Sequence, residues 1–338
     1  MSFEIQIAGS DIRFAAEPGQ TVLDAALKAG IELPYSCRKG VCGNCACSVP
    51  SGTLEGPPPN EVTPAGQQLL CQCIPLSDLQ IAPASWRRVD PTARRRFRVK
   101  LFRNTLVAPD VSVLLLRLPA GQRARFKAGQ YLQLALPDGS WRAYSMANGP
   151  HESDTLQLHI RHVPGGSFTQ LVPTLQPGAQ LDVELPFGQF ELREDSSAPM
   201  LCVVGGTGFA PVKALLDHML KKGIRRSVTL VWGSRDRHGL YLLNAVTRWQ
   251  QSLPDFRFVP AIEDAEDARA LNAFYGRVDE AVRSQFTDNS ALATYEVYCC
   301  GAPVMVAAVR QACVVQRGLQ PGNFLSDSFV PGPSPGDR

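Results

Sequence analysis

No apolar run in this sequence approaches the ~18 residues that a membrane-spanning helix needs. The opening MSFEIQIAGS lacks the basic and apolar regions of a secretory signal, so a cytoplasmic protein is expected. No membrane or nucleic-acid partner is expected either. Charged residues are few, 19% against 44% apolar, which removes disorder as the default state and leaves ample core material. There are no internal repeats. His159 and His162 lie three apart on a predicted strand and so face opposite sides, which excludes a shared metal site between them. What the chain does have is turn formers: 28 Gly and 27 Pro in 338 residues imply short strands, many turns and two or three domains.

The ten cysteines are unevenly placed. Six fall between Cys37 and Cys73, four of them in the eleven residues from Cys37 to Cys47. Such crowding, without an export signal, reads as a metal site in a reducing compartment rather than a disulfide framework. Charge is uneven too. Residues 1–85 hold eight acids against four bases, a net of −4, and residues 86–100 hold seven bases against Asp90, a net of +6. An acidic head and a basic hinge fit electrostatic docking, and equally a solvated linker.

Three segments of different rhythm follow one another. Residues 1–85 show an alternating hairpin over 3–7 and 11–14. A helix capped at Thr21 with an apolar stripe at Val22, Ala25, Ala26 and Ala29 ends at Gly30, and a Gly/Cys-rich loop and a strand near 79–81 follow. That is a small β-grasp domain, with residues 86–95 as a basic linker. Residues 96–196 alternate through strands near 97–102, 111–118, 131–136, 156–163 and 181–185, the pattern of an antiparallel β-barrel. Residues 197–331 switch to strand and helix in turn, with strands near 201–204, 228–232, 256–260 and 297–300 and helices over 211–221 and 303–317. This predicts a doubly wound parallel sheet. The acidic run Glu263, Asp264, Glu266 and Asp267 reads as a solvated loop, and the tail 331–338 as disordered.

Cys37, Cys42 and Cys45 have the spacing C-x4-C-x2-C. Three thiolates from one tight loop can clasp an inorganic cluster only if the backbone wraps closely, which Gly40 and Gly43 permit. Amides of such a loop point at the sulfurs and stabilise the charge added on reduction. A zinc site would prefer paired C-x2-C units. Spacing leaves Cys71 and Cys73 both open as the fourth ligand. The whole pattern resembles plant-type [2Fe–2S] ferredoxins. In that family the closing ligand precedes a proline by four positions, which implies Cys71, four before Pro75, and leaves Cys47 and Cys73 as bystanders.

Arg142-Ala-Tyr144-Ser145 follows the strand at 131–136, and Val163-Pro-Gly165-Gly166-Ser167-Phe-Thr169 reads as a glycine turn opening a short helix. Pro186-Phe-Gly188 follows. Farther on, a strand runs into Gly205-Gly206-Thr207-Gly208-Phe-Ala-Pro211, a phosphate cradle that is not the G-x-G-x-x-G fingerprint. Cys299-Cys300-Gly301-Ala-Pro303 ends another strand. Together these resemble the ferredoxin–NADP⁺ reductase superfamily. The resemblance implies that Arg142 pairs with the FAD pyrophosphate, Tyr144 lies along the isoalloxazine and Ser145 hydrogen-bonds near flavin N5. It implies that Gly165, Gly166 and Ser167 hold a flavin phosphate, and that Gly205, Gly206, Thr207 and Gly208 hold the nicotinamide nucleotide. Cys300 would border the nicotinamide and Phe329 the flavin, although a buried apolar thiol and a plain surface aromatic are the alternatives. Tyr144, Ser145 and Cys300 are thus the candidate catalytic residues. In the loop Gly233-Ser234-Arg235-Asp236-Arg237, Ser and Arg favour a 2′-phosphate where an acid would favour a free diol, so NADPH is expected, with NADH the alternative.

The order ferredoxin, flavin, nucleotide is similar to reductase components of bacterial ring-hydroxylating oxygenases and related monooxygenases. The strings 33–40, 144–148 and 162–166 look most like members that serve aromatic-acid dioxygenases. The resemblance implies an NAD(P)H-dependent iron–sulfur flavoprotein whose partner is a terminal Rieske-type oxygenase. The chain itself has no Rieske set of cysteines and histidines and no facial triad, which places oxygen chemistry elsewhere. Rival readings are a reductase for a deoxysugar 3-dehydrase or a di-iron monooxygenase, and an electron carrier or redox sensor that uses no nicotinamide.

Overall fold

Residues 2–60, 63–90, 94–166 and 168–330 are described by the computed structural model, so the tail 331–338 and Ser167 lie outside the described residues. The chain divides into two compact units, Met1–Ala93 and Arg94–Arg338.

In the first unit, alternation of apolar residues builds β1 (Phe3–Ile7) against β2 (Arg13–Ala16), with Ile5 opposite Phe14. The Thr21 hydroxyl accepts from the Asp24 amide at 3.2 Å and starts α1 (Val22–Lys28), as the sequence predicts. Then come β3 (Ile31–Glu32), β4 (Ala46–Ser51), β5 (Leu54–Glu55), β6 (Gln67–Leu69), β7 (Ile74–Pro75), β8 (Leu79–Ala82) and β9 (Arg87–Arg88). The main sheet has the order β2-β1-β8-β4-β6, with β1 and β8 parallel. Helix α1 buries Val22, Leu23, Ala25 and Ala26 in the same core as Ile5, Ile7 and Ile81. Within the basic segment 86–95, Arg87 and Arg88 pair antiparallel with Glu32 and Ile31, an internal docking of the kind its charge allowed. Arg87 also bonds the buried Glu32 carboxylate at 2.5 Å. Of the two readings that charge left open, docking and a solvated linker, the contact with a buried acid is docking at Arg87.

The second unit opens with β10 (Arg95–Ala108), β11 (Val111–Arg117), β12 (Tyr131–Ala135), β13 (Trp141–Ser145), β14 (Thr155–Arg161) and β15 (Gln180–Phe187). They form an antiparallel sheet of order β13-β12-β15-β10-β11-β14. A bridge between Met146 and Leu158 brings its two ends together, which makes the barrel. Inward residues such as Val99, Leu114, Leu134, Leu158 and Val183 fill it.

Six parallel strands follow: β16 (Met200–Gly205), β17 (Val228–Ser234), β18 (Phe256–Ile262), β19 (Phe274–Tyr275), β20 (Glu296–Gly301) and β21 (Phe324–Ser328). Their order is β19-β18-β17-β16-β20-β21, so the chain reverses direction across the sheet at β16. Ligands bind at the carboxyl end of such a switch point. Helices α2 (Phe209–Lys222), α3 (Leu243–Ser252), α4 (Ala265–Ala270), α5 (Val278–Gln285) and α6 (Pro303–Arg310) cover the two faces. Helix α2 ends on Gly223, which adopts φ 68° to close it. The acidic run at 263–267 is also corrected. Asp264 accepts from the Glu266 and Asp267 amides and caps α4, so the run is a helix start rather than a solvated loop.

Candidate metal centre and cofactor sites

The cysteine loop lies between β3 and β4. Gly40 and Gly43 adopt φ 73° and 74°, and Arg38 joins them at φ 56°, a region a side chain enters only when its surroundings hold it. Those surroundings are the Asp24 carboxylate on α1, which bonds the Arg38 guanidinium, and the Gln72 amide, which donates to the Arg38 carbonyl. The loop brings its thiols together in two pairs, Cys37 with Cys42 and Cys45 with Cys71. The thiol of Cys42 and then the amides of Lys39, Val41 and Cys42 hold Cys37 down to about 5 against the effect of burial. Cys71 is likewise lowered, first by Cys45, with Gln72 and the Gly40 amide adding to it. Among the described residues no three His, Cys, Asp or Glu side chains are arranged about a single ion. Two thiol pairs ringed by amide donors fit a binuclear cluster with two ligands to each iron.

The segment carrying Cys71 is stitched in place from both sides. The Leu70 amide donates to the Cys45 carbonyl at 3.1 Å, and the Val22 and Leu23 amides of α1 donate to the Cys73 and Leu70 carbonyls. The Cys73 sulfur lies 2.8 Å from where a Cβ on Gly56 would be. Burial raises the Cys73 thiol and pushes Cys47 up to about 11, the behaviour of neutral core thiols.

On β13, Arg142 is half-buried and bonds the Ser140 hydroxyl and the Trp141 carbonyl. A partly desolvated guanidinium that pairs with no carboxylate among the described residues suits a pyrophosphate. The half-buried Tyr144 ring is tilted 55° against Phe168 at 5.7 Å, and burial raises its hydroxyl, so it stays neutral. Gly165 turns at φ 78°, and a Cβ on Gly166 would lie 2.3 Å from Thr169 Oγ1. Thr169 closes this turn on both the amide and the carbonyl of Val163. In place of the expected short helix, the described residues show turns at 164–165 and 168–171 and then a three-residue 3-10 helix, Val172–Thr174.

At the end of β16, Gly206 adopts φ 53°, and a Cβ on Gly208 would lie 2.2 Å from the Cys300 carbonyl oxygen. The cradle must therefore be glycine for the strands β16 and β20 to meet as they do. Arg161, paired with Asp110 at 2.6 Å, brings its Nη2 to 3.1 Å from a Cβ position on Gly206, which places a cation over the turn. Thr207 is half-buried between these glycines. Cys300 is fully buried, and its thiol is raised well above the ordinary range, first by burial and then by Asp327. Phe329 is half-buried against the core of this domain, and its amide donates to the Gly301 carbonyl at 2.9 Å. At the end of β17, Asp236 caps the next turn through the His238 and Gly239 amides, and Arg237 pairs with Asp267. Arg235 stands exposed beside Ser234.

One residue escaped the sequence reading. Asp327, on β21, accepts from the Ser145 hydroxyl at 3.3 Å and lies in register with Cys300. It joins Ser145 and Cys300, from barrel and sheet, into one buried group. Its only sequence signal is its position two residues before Phe329. His159 and His162 do part as expected. His159 bonds the Tyr241 hydroxyl, burial lowers it to about 3, and His162 bonds Ser112.

A paired-thiol centre, a barrel with a half-buried arginine and a glycine turn, and a parallel sheet with a glycine cradle define an iron–sulfur flavoprotein reductase. Three family models match in the same order: 2Fe-2S iron-sulfur cluster binding domain over residues 5–76, Oxidoreductase FAD-binding domain over 98–192 and Oxidoreductase NAD-binding domain over 201–311. The sequence is 51% identical over 338 residues to terephthalate 1,2-dioxygenase, reductase component 2, of Comamonas sp., covering 99% of each chain. It is 32% identical to the CDP-6-deoxy-L-threo-D-glycero-4-hexulose-3-dehydrase reductase of Yersinia pseudotuberculosis, over 98% of this chain and 99% of the relative. The crystal structure of the Amycolatopsis cytochrome P450 reductase GcoB superposes with a TM-score of 0.75 at 32% identity, over 97% and 99% of the two chains. The chain belongs to this family of ferredoxin-fused, FAD- and NAD-binding oxidoreductases. No helix among the described residues is long and apolar enough to cross a membrane.

Proposed function

We propose that this chain draws electrons from NADPH, in preference to NADH, and delivers them singly to a Rieske-type oxygenase acting on terephthalate or a similar aromatic acid. The observation that carries the reading is 51% identity along 99% of the chain with the dioxygenase reductase, against 32% with the dehydrase reductase. FAD, when bound, supplies the change from two-electron hydride chemistry to the one-electron chemistry of a [2Fe–2S] cluster.

In this reading Cys37 and Cys42 hold one iron and Cys45 and Cys71 the other. Arg142 meets the flavin pyrophosphate, and Gly165, Gly166 and Ser167 meet a flavin phosphate oxygen. Tyr144 lies along the isoalloxazine as a neutral ring. Ser145 faces N5, with its hydroxyl turned by the Asp327 carboxylate 3.3 Å away. Gly205, Gly206, Thr207 and Gly208 take the nucleotide phosphates and Cys300 borders the nicotinamide. Phe329 covers the flavin. No side chain is needed as nucleophile, and the buried, protonated Cys300 thiol is unsuited to that role. Preference for NADPH rests on Ser234 and Arg235. The neighbouring acid Asp236, which would otherwise favour a ribose diol, is engaged with two backbone amides.

The test is anaerobic titration of the holoprotein with NADPH and, separately, NADH, followed by absorbance. A terephthalate-linked assay with a purified Rieske oxygenase then follows. Bleaching of flavin and cluster bands, faster with NADPH, is expected. Bleaching of neither sinks the reductase reading, and equal rates sink the NADPH preference. Reduction without oxygenase-coupled turnover of any aromatic acid sinks the partner assignment.

A further inference from the structure

Gln72 follows Cys71, and its side chain turns back across the cysteine loop. Its Nε2 lies 2.9 Å from the Cys71 carbonyl, 3.2 Å from the Arg38 carbonyl and 3.6 Å from the Cys71 sulfur. All three neighbours are acceptors, so the amide must present its nitrogen here and not its oxygen. Two N–H groups face three acceptors, and one of them is shared with the sulfur. The side chain has room for this because residue 40 is glycine: a Cβ there would lie 2.9 Å from Gln72 Cγ. The Arg38 carbonyl is itself fixed, since Asp24 holds the Arg38 side chain.

We propose that the Gln72 side-chain amide sets the reduction potential of the cluster by donating to the Cys71 sulfur. Reduction adds one negative charge, much of it carried on sulfur, and a donor aimed at that sulfur stabilises the reduced form more than the oxidised form. Backbone amides do the same at Cys37, but they cannot be removed by substitution. Gln72 is the adjustable member of the set. Its donor raises the potential and favours passage of an electron from the flavin to the cluster. The inference rests on Cys71 being a cluster ligand.

The experiment is a potentiometric titration of full-length holoprotein and of Gln72→Leu, which keeps the side-chain bulk without the donor. The reduced cluster is followed by electron paramagnetic resonance and the flavin by absorbance. The flavin–cluster equilibrium is expected to move about tenfold toward reduced flavin, a cluster midpoint about 59 mV lower for a one-electron couple. The flavin midpoint should not move. Gln72→Glu should fall further and Gln72→Lys should rise, whereas simple loosening of the loop would move both the same way. If Gln72→Leu loads poorly, Gln72→Met serves, read only on the fraction that holds its cluster. An unchanged midpoint in loaded Leu or Met protein overturns the proposal. A Cys71→Ser variant that keeps a native cluster signal would instead remove the ligand assignment beneath it.

Discussion

Replacing Arg226 by Ala should weaken the flavin–nucleotide unit more than any change at its surface. The Arg226 guanidinium is 1% exposed and the Glu296 carboxylate 5% exposed, and they meet at 2.7 Å. The same guanidinium donates to the Ala198 carbonyl at 2.6 Å and the Arg193 carbonyl at 3.2 Å, both on the segment that joins barrel to parallel sheet. The Tyr298 hydroxyl completes the group, accepting from the Arg193 amide and donating to Glu296. Removing Arg226 takes from the buried carboxylate its shortest ionic partner, leaving the Tyr298 hydroxyl and the more distant Arg193, and takes a donor from two carbonyls, a loss of about 3–5 kcal/mol. At roughly 2–4 °C per kcal/mol for a unit of this size, the melting temperature should fall by about 10 °C.

The pH dependence gives the argument a second edge. Burial alone would raise Glu296, but hydrogen bonds from Arg226 and Ser196 and the charges of Arg226 and Arg193 together outweigh it, and the carboxyl is held below its ordinary value of 4.5. A depressed folded pKa contributes stability above the unfolded value and loses it as pH falls through the folded one. In the wild type the pair therefore holds at neutral pH and fails only below 4.5. In Arg226→Ala the largest influence opposing burial is lost, the folded pKa rises, and the penalty is full at high pH and fades as the carboxyl protonates. Melts by circular dichroism at pH 8 and pH 5.5 should show the larger deficit at pH 8. The cluster absorbance, which reports the first unit, should melt unchanged. A fall of under about 3 °C, or a deficit equal at both pH values, would mean that the buried pair does not hold the unit together.

Two further changes test the sites. Cys71→Ser should abolish the visible cluster bands, while Cys73→Ser, which alters a neutral thiol packed on Gly56, should keep them, as iron and sulfide analysis will report. Arg235→Ala should lower kcat/KM for NADPH about 10- to 100-fold, the worth of one charge-assisted phosphate contact, and leave NADH unchanged within about twofold.

Turns and spacings were legible because they are local. Thr21 and Asp24 lie three residues apart, and the glycines at 40, 43, 206 and 208 mark positions where the chain must turn sharply or approach other backbone. The alternating barrel strands and the βα rhythm were legible for the same reason. What was lost depends on distant partners. Asp327 reaches Ser145 across 182 residues, and nothing near it in sequence distinguishes it from a surface acid. Arg87 looked like part of a basic tether because its partner, the buried Glu32, lies 55 residues earlier. Asp264 was different: a capping signal stood in Asp264-Ala-Glu-Asp267, but the density of acids hid it behind the commoner reading of a solvated run.

The two ends of β20 show why the site needs both kinds of residue. Glu296 at its start is held by Arg226, and Cys300 near its end meets Gly208 so closely that no side chain fits between. Along the strand, Glu296 pairs in register with Met200 and Cys300 with Val204, so β16 and β20 run locked together from the clamp to the cradle. A strand is nearly inextensible at ~3.3 Å per residue, so it carries position from one end to the other. The clamp binds the segment that leads from the barrel, where Arg142, Tyr144 and Ser145 lie. The cradle binds the segment that carries the Gly205–Gly208 turn. A motif can write either end, but the buried contacts of Arg226 and Tyr298, made with partners far off in sequence, fix the barrel segment against the strand that bears Cys300.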